Sequence, residues 1–159
     1  MKLILASLCA ALLAGACAST GLSRDELIAV YRAHAGEPVS GFRMTSRSLQ
    51  WRALSDDALV VWTRANEANL LEFSPRCIGL RSARTITISS SGGLVSARFD
   101  SVRITAPVSA NHAQASCRIS SIRPLDLQGI NDTKGELRDA QTVARDPETK
   151  VEAEQPDLQ

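Results

Sequence analysis

Cys77 and Cys117 stand 40 positions apart, and a bond between them would restrict the fold more than any other feature of this 159-residue chain. Closing a loop of that length removes freedom from the unfolded chain worth about 4 kcal/mol in the chain-entropy description. The term is large for this composition. Aromatic residues are only 4% of the chain, so the core must be assembled mainly from Leu, Ile, Val and Ala. Disulfides persist outside the reducing cytosol, so the bond depends on the compartment.

The N-terminus carries that information. Lys2 precedes an unbroken run of apolar and small residues, Leu3 to Ala14. The run is too short to cross a bilayer as a helix, which takes about 20 residues. A basic start, an apolar stretch and small residues at its end form the pattern of an export signal, expected over 1–16 and excluded from the fold. Two rules place the cut. Ala14 and Ala16 suit ordinary signal cleavage. Gly15, Ala16 and Cys17 instead resemble the bacterial lipoprotein signal, whose Cys receives a lipid, with Ala14 standing where Leu is usual. Cysteine parity favours the second: Cys9 leaves with the signal, and acylation of Cys17 leaves Cys77 and Cys117 as an even pair. The expectation is a lipid on Cys17, an anchor linker over 17–21, and a membrane-attached periplasmic protein. Ala18, where an Asp would resemble an inner-membrane retention signal, points to the outer membrane.

Charge divides the mature chain. Ala18 to Leu125 holds thirteen arginines and no lysine against eight acids, whereas Asp126 to Gln159 holds four bases against nine acids. The acidic end has few large apolar residues, too little to offset its ordering entropy. Residues 131–159 are therefore expected to be a disordered acidic tail, with a transient helix near "KGELRDAQTVARD", behind a compact domain over 22–130. An all-arginine core admits anion binding, because guanidinium forks match phosphate and carboxylate geometry. A GC-rich genome would produce the same bias. No basic cluster with interleaved aromatics occurs, which argues against nucleic acid.

"GLSRDELIAVYRAHAGEP" predicts a helix. Ser23 and Glu26 form a capping box, Leu22 and Leu27 a hydrophobic staple, and Leu27, Val30, Tyr31 and His34 fall on one face. From Phe42 the period becomes two. "SLQWRALSDDALVVWT" reads as a hairpin about Asp56-Asp57, with Trp51 opposite Trp62 and both on one sheet face; a longer loop would shift that register. "NLLEF" is a further strand and "SPRCIGLRSA" a short helical turn with Ile78, Leu80 and Ala83 apolar. "RTITISSSGGLVSARF" reads as a second hairpin about Gly92-Gly93, with Ile86, Ile88, Val95, Ala97 and Phe99 on its apolar face and Thr, Ser and Arg on a wet one. A bulge is expected at Asp100-Ser101. "CRISSIRPL" is the last strand. The fold class expected is α+β: one N-terminal helix, then a mainly antiparallel sheet of about six or seven short strands, with one disulfide.

"DDALVVWTRANEANLLEF", "CIGLRSARTITISS", "GGLVSARFDSVRI" and "CRISSIRPLD" together resemble a family of small exported proteobacterial proteins and lipoproteins classed only as a domain of unknown function. The resemblance spans roughly residues 40 to 127. It implies an exported, often lipid-anchored domain with a cystine, and it brings no activity, cofactor or catalytic residue.

Two histidines limit the chemistry. His34 lies on the apolar helix face, where a packed ring is the commoner outcome. His112 lies in a loop with Asn111 and Gln114, and loops carry function. No G-x-S-x-G turn presents a nucleophile for His112 and Asp100, and the serines of "SSSGGLVS" suit a turn. Cys77, Cys117, His34 and His112 are ligand types for zinc but lack short paired spacing, so a disulfide is preferred. Asp56 and Asp57 show no facing-carboxylate constellation. No catalytic residue, metal or cofactor is expected. Three functions remain: a non-enzymatic envelope module with a protein partner; an inhibitory or anion-binding module using Arg98 and Arg103; and a hydrolase centred on His112.

Overall fold

The computed structural model describes residues 21–44, 49–106 and 113–145. Helix α1 (Arg24–Ala33) starts where local chemistry dictates: the Ser23 hydroxyl accepts the Glu26 N–H at 3.3 Å, and the Glu26 carboxylate accepts the Ser23 N–H at 2.7 Å. Both bonds satisfy donors that the first helical turn leaves without partners. Val30 and Tyr31 are buried on its inner face. His34 caps its C-terminus.

The strands are β1 (Gly41–Arg43), β2 (Gln50–Ala53), β3 (Ala58–Arg64), β4 (Glu67–Phe73), β5 (Thr85–Ile88), β6 (Leu94–Ser96), β7 (Ser101–Ala106) and β8 (Ala113–Pro124), with a 3-10 turn at Leu80–Ser82. Six of them form one antiparallel sheet in the order β2-β3-β4-β8-β7-β5, and β1 pairs with β6 in a separate two-stranded sheet. Helix α2 (Leu127–Arg145) follows. Leu22–Leu137 make one compact unit; the helix residues from Arg138 on belong to a second.

This architecture corrects the expected fold on one point. The class is α+β with a mainly antiparallel sheet and the Cys77–Cys117 disulfide, but the described residues hold two helices, and the longer is C-terminal. Residues 131–145, expected within a tail, lie in α2. Leu127, Ile130 and Leu137 fall on one face of it, and Ile130 is fully buried beside Val30, Tyr31, Val60 and Leu70. Few apolar residues suffice, because a helix needs only one stripe to dock.

Two apolar clusters sandwich the sheet. On one face Leu59, Val61, Leu71, Ile104, Ile119 and Ile122 meet Phe42 and Val95 of the small sheet and Leu80 of the 3-10 turn. On the other, Ala58, Val60, Ala68 and Leu70 meet the helices. Strand β4 lies third in the sheet and β5 last, so residues 74–84 must cross β8 and β7. The disulfide fastens this crossover to β8, with Cα atoms 5.4 Å apart.

Three pairings differ from the sequence reading. Trp51 pairs with Val61 and Gln50 with Trp62, one residue out of the expected register. A single-residue slip moves side chains to the opposite face, so Trp51 packs on the first cluster and Trp62 on the second. The cause is the loop: Leu54 N–H donates to the Ala58 carbonyl at 2.9 Å, the Asp56 carbonyl accepts Cys77 N–H at 2.6 Å, and the two carboxylates are engaged too, Asp56 accepting Arg81 N–H at 3.3 Å and Asp57 accepting the Ser55 hydroxyl and Arg32. Gly92 and Gly93 do turn the chain at φ 58° and 79°, but only Ser91 and Leu94 pair across them. Beyond that bridge β5 takes β7 as its partner and β6 takes β1. In place of a bulge at Asp100-Ser101, residues 97–99 form a turn, closed by Asp100 N–H donating to Ser96 at 3.0 Å. Phe99 is left 87% exposed, outside the apolar strand face expected for it, and Ile78 is 83% exposed, apart from the apolar set expected for the helical turn.

Asp57 yields a pH test. The Ser55 hydroxyl, with the Arg32 guanidinium beside it, holds the Asp57 carboxyl below its ordinary range against the opposing effect of partial burial. A pKa depressed by folding contributes stability above the unfolded value, about 3.9, and loses it as pH falls through the folded value. Asp57→Asn is expected to unfold at lower urea than wild type at pH 7, with the gap closing below about pH 4. A gap unchanged at pH 3 would refute the assignment.

Candidate functional site

Alternation along β5, β7 and β8 sends Val102, Ile104, Ala115, Cys117, Ile86 and Ile88 to the core. The opposite face then carries Thr85 and Thr87, Ser101, Arg103 and Thr105, and Ser116 and Arg118. Register places Arg103 between Thr87 and Ser116, and Arg118 opposite Ser101. The two arginines are diagonal neighbours, a relation that spaces residues about 7–8 Å apart. Neither guanidinium pairs with a carboxylate among the described residues. Asp100, the nearest acid in sequence, is buried and turned inward, accepting from the Ser89 hydroxyl at 2.6 Å and the Ser96 N–H at 2.8 Å. The helices cover the other half of the sheet, through β3 and β4. This face of β5, β7 and β8 therefore combines hydroxyls with fixed positive charge.

Arg98 sits elsewhere than the sequence suggested. It occupies the 97–99 turn at φ 69°, a left-handed conformation that costs a non-glycine residue roughly 1–3 kcal/mol. Its backbone is held at both ends: its N–H donates to Ile119 at 2.7 Å, and its carbonyl accepts Arg118 Nη1 at 3.2 Å. Arg98 lines a cavity of about 630 Å³ between the small sheet and β8, together with Val39, Ser40, Leu94, Ser96 and Phe99. Arg103 is on the strand face as expected, and the second charge there is Arg118. Its position after Cys117, with parity opposite to Cys117 and Ile119, was a usable signal. His112 and Cys17 lie outside the described residues.

His34 is partly buried and joins two helices. Its Nε2 lies 2.8 Å from the Thr133 hydroxyl, and its Nδ1 lies 3.9 Å from Asp126. The order hydroxyl, imidazole, carboxylate matches a nucleophilic triad, but 3.9 Å exceeds hydrogen-bond reach. Asp126 is already engaged, accepting the Gly129 N–H at 3.1 Å in the first turn of α2. Gly129 packs so closely that a Cβ there would stand 2.5 Å from both Asp126 Oδ2 and His34 Nδ1. The cluster clasps α1 to α2, aided by Lys134 Nζ, 3.2 Å from the Tyr31 hydroxyl and 4.4 Å from the ring centroid.

Cys77 and Cys117 are joined to each other, so neither thiol is free to ligate metal. Among the described residues no group of three His, Cys, Asp or Glu side chains converges, and no helix is long and apolar enough to cross a membrane. The protein is thus of the class of disulfide-tied antiparallel sheets covered by two helices on one face. The chain belongs to a family described as Family of unknown function (DUF6491), which matches residues 1–141. No curated protein and no solved structure matches it.

Proposed function

We propose that this is an exported, lipid-anchored binding module of the bacterial envelope, and that the face of β5, β7 and β8 engages an anionic envelope component. The single observation carrying the reading is that face: Arg103 and Arg118 among Ser and Thr hydroxyls, with no carboxylate to neutralise them among the described residues. Guanidinium forks take carboxylate or phosphate oxygens two at a time, and flanking hydroxyls supply adaptable donors. Export and anchoring rest on the N-terminal pattern ending at Cys17. A non-catalytic role is preferred because the Asp126 carboxylate stands 3.9 Å from His34 Nδ1, beyond hydrogen-bond reach.

A photo-crosslinker at Thr87 is expected to capture an envelope component in intact cells, and Arg103→Gln with Arg118→Gln is expected to remove the adduct. Polygalacturonate, a linear polycarboxylate, should bind the purified full chain and weaken about tenfold in the double variant, the scale of one lost charge-assisted bond. Added salt should weaken binding as well, because exposed charges are screened. No adduct, or adducts indifferent to both substitutions, would overturn the reading. For the anchor, intact mass should show acyl groups on Cys17 that vanish in Cys17→Ser. A mature chain starting at Cys17 or Ser19 without lipid would select ordinary cleavage.

A further inference from the structure

The cavity beside Arg98 is a second site, adjoining the sheet face where Arg118 Nη1 donates to the Arg98 carbonyl. Four large apolar residues are conspicuously exposed among the described ones, Val39, Ile78, Leu94 and Phe99, and three of these line this one cavity. Exposed apolar residues scattered singly need no explanation, but their convergence at a concavity does. Its volume, about 630 Å³, lies in the range of small-molecule pockets. Among the described residues Arg98 is the one charged residue in the lining, and it pairs with no carboxylate there. The positive φ of Arg98 is maintained by bonds to both of its peptide groups, so the charge is presented from a fixed backbone rather than from a loose loop.

We infer that this cavity binds a single-chain amphiphilic carboxylate of the fatty-acid type, its head on Arg98 and its apolar chain against Val39, Leu94 and Phe99. Charge sets the head: among the described residues the lining holds one guanidinium and no acid, which calls for one anion, and Ser40 and Ser96 line the same cavity. Backbone bonding sets the tail. An added peptide strand would need free N–H and carbonyl groups. Around this cavity Val39 N–H donates to Ile122, Ala97 N–H to Ser40, Arg98 N–H to Ile119, and Gly41 pairs with Ser96. A chain that asks nothing of the backbone fits such walls; a peptide does not.

Titrating the purified full chain with decanoate and with decanol, by calorimetry, tests this. Decanoate is expected to bind saturably at one site and about tenfold more tightly than decanol, the worth of one charge-assisted hydrogen bond. Arg98→Gln should remove that preference while leaving decanol binding unchanged, and Phe99→Ala should weaken both probes. Phe99 is exposed, so its replacement tests the site even if Arg98→Gln disturbs its turn. Arg64→Gln, a charge loss at the distant Ala65-Asn66 turn, should leave both affinities as they were. Failure of decanoate to saturate, equal binding of the two probes, or full retention of the preference in Arg98→Gln would each overturn the proposal. A peptide ending in Leu-Phe that binds better than decanoate would assign the cavity to a peptide instead. Because Arg118 also holds the Arg98 carbonyl, Arg103→Gln alone separates the two sites: it should weaken polygalacturonate and leave decanoate binding as it was.

Discussion

Replacing Cys77 and Cys117 together with alanine lowers the unfolding free energy by about 4 kcal/mol, measured by urea denaturation of the oxidised wild type beside the variant. Most of that change arises in the unfolded chain, which regains the freedom of the segment between the two cysteines. The folded state loses less. The crossover keeps Leu80 in the core, Cys77 N–H on Asp56 and Arg84 N–H on Thr105 at 3.0 Å. The denaturant slope should rise, because the uncrosslinked chain exposes more surface on unfolding. Cys77 is itself buried, so the small void left by Ala adds to the loss rather than offsetting it. A change below about 1 kcal/mol would mean that the unfolded chain was never restricted by this bond, against the chain-entropy account.

The sequence disclosed what is local and hid what is not. Helix α1 was legible because Ser23 and Glu26 signal its start within four residues. Strands were legible as strands because period two is local, but their partners were not. Ile86 and Ile88 sit a few residues from the Gly92-Gly93 turn, yet they pair with Ile104 and Val102, while Val95 pairs with Phe42 far upstream. Where the turn closed only one bridge, ladder length elsewhere decided the partner. The tryptophan register failed for a related reason: Asp56 and Asp57 were read as a tight turn, and both are occupied by partners outside the hairpin, Cys77, Arg81 and Arg32.

The same distinction separates the two sites. Arg103 on a wet strand face follows from alternation alone, and Arg118 would have followed had the same parity been carried into β8. The Arg98 cavity draws on residues 38–41, 94–99 and 120–121, brought together by the pairing of β1 with β6 and by the bonds of residues 36–40 to β8. No local pattern announces that meeting. Its one trace in the sequence is Phe99, an aromatic residue in a chain that has few, placed beside an arginine at the end of a strand.

Helix α2 begins inside the domain expected over 22–130 and runs on through 131–145, and Ile130→Ala tests by sign how firmly its start is packed. In a solvated helix that substitution is neutral or slightly favourable, since Ala is the better helix former. Ile130 is instead 1% exposed and packed with Val30, Tyr31, Leu54, Val60 and Leu70. Its truncation is therefore expected to cost roughly 2–5 kcal/mol, as for other large-to-small changes in a filled core. The cost has a structural reason beyond one side chain. Val60 and Leu70 occupy the second face of the central strands β3 and β4, and α1 and α2 cover them together. Loosening α2 uncovers apolar surface next to His34, whose bond to Thr133 at 2.8 Å would be lost with it. Thr133→Val, which deletes that bond and keeps the volume, should cost less, about 1 kcal/mol. Urea midpoints for both variants settle the order: an Ile130→Ala protein as stable as wild type would mean that the start of α2 is not part of the core beside Val60 and Leu70.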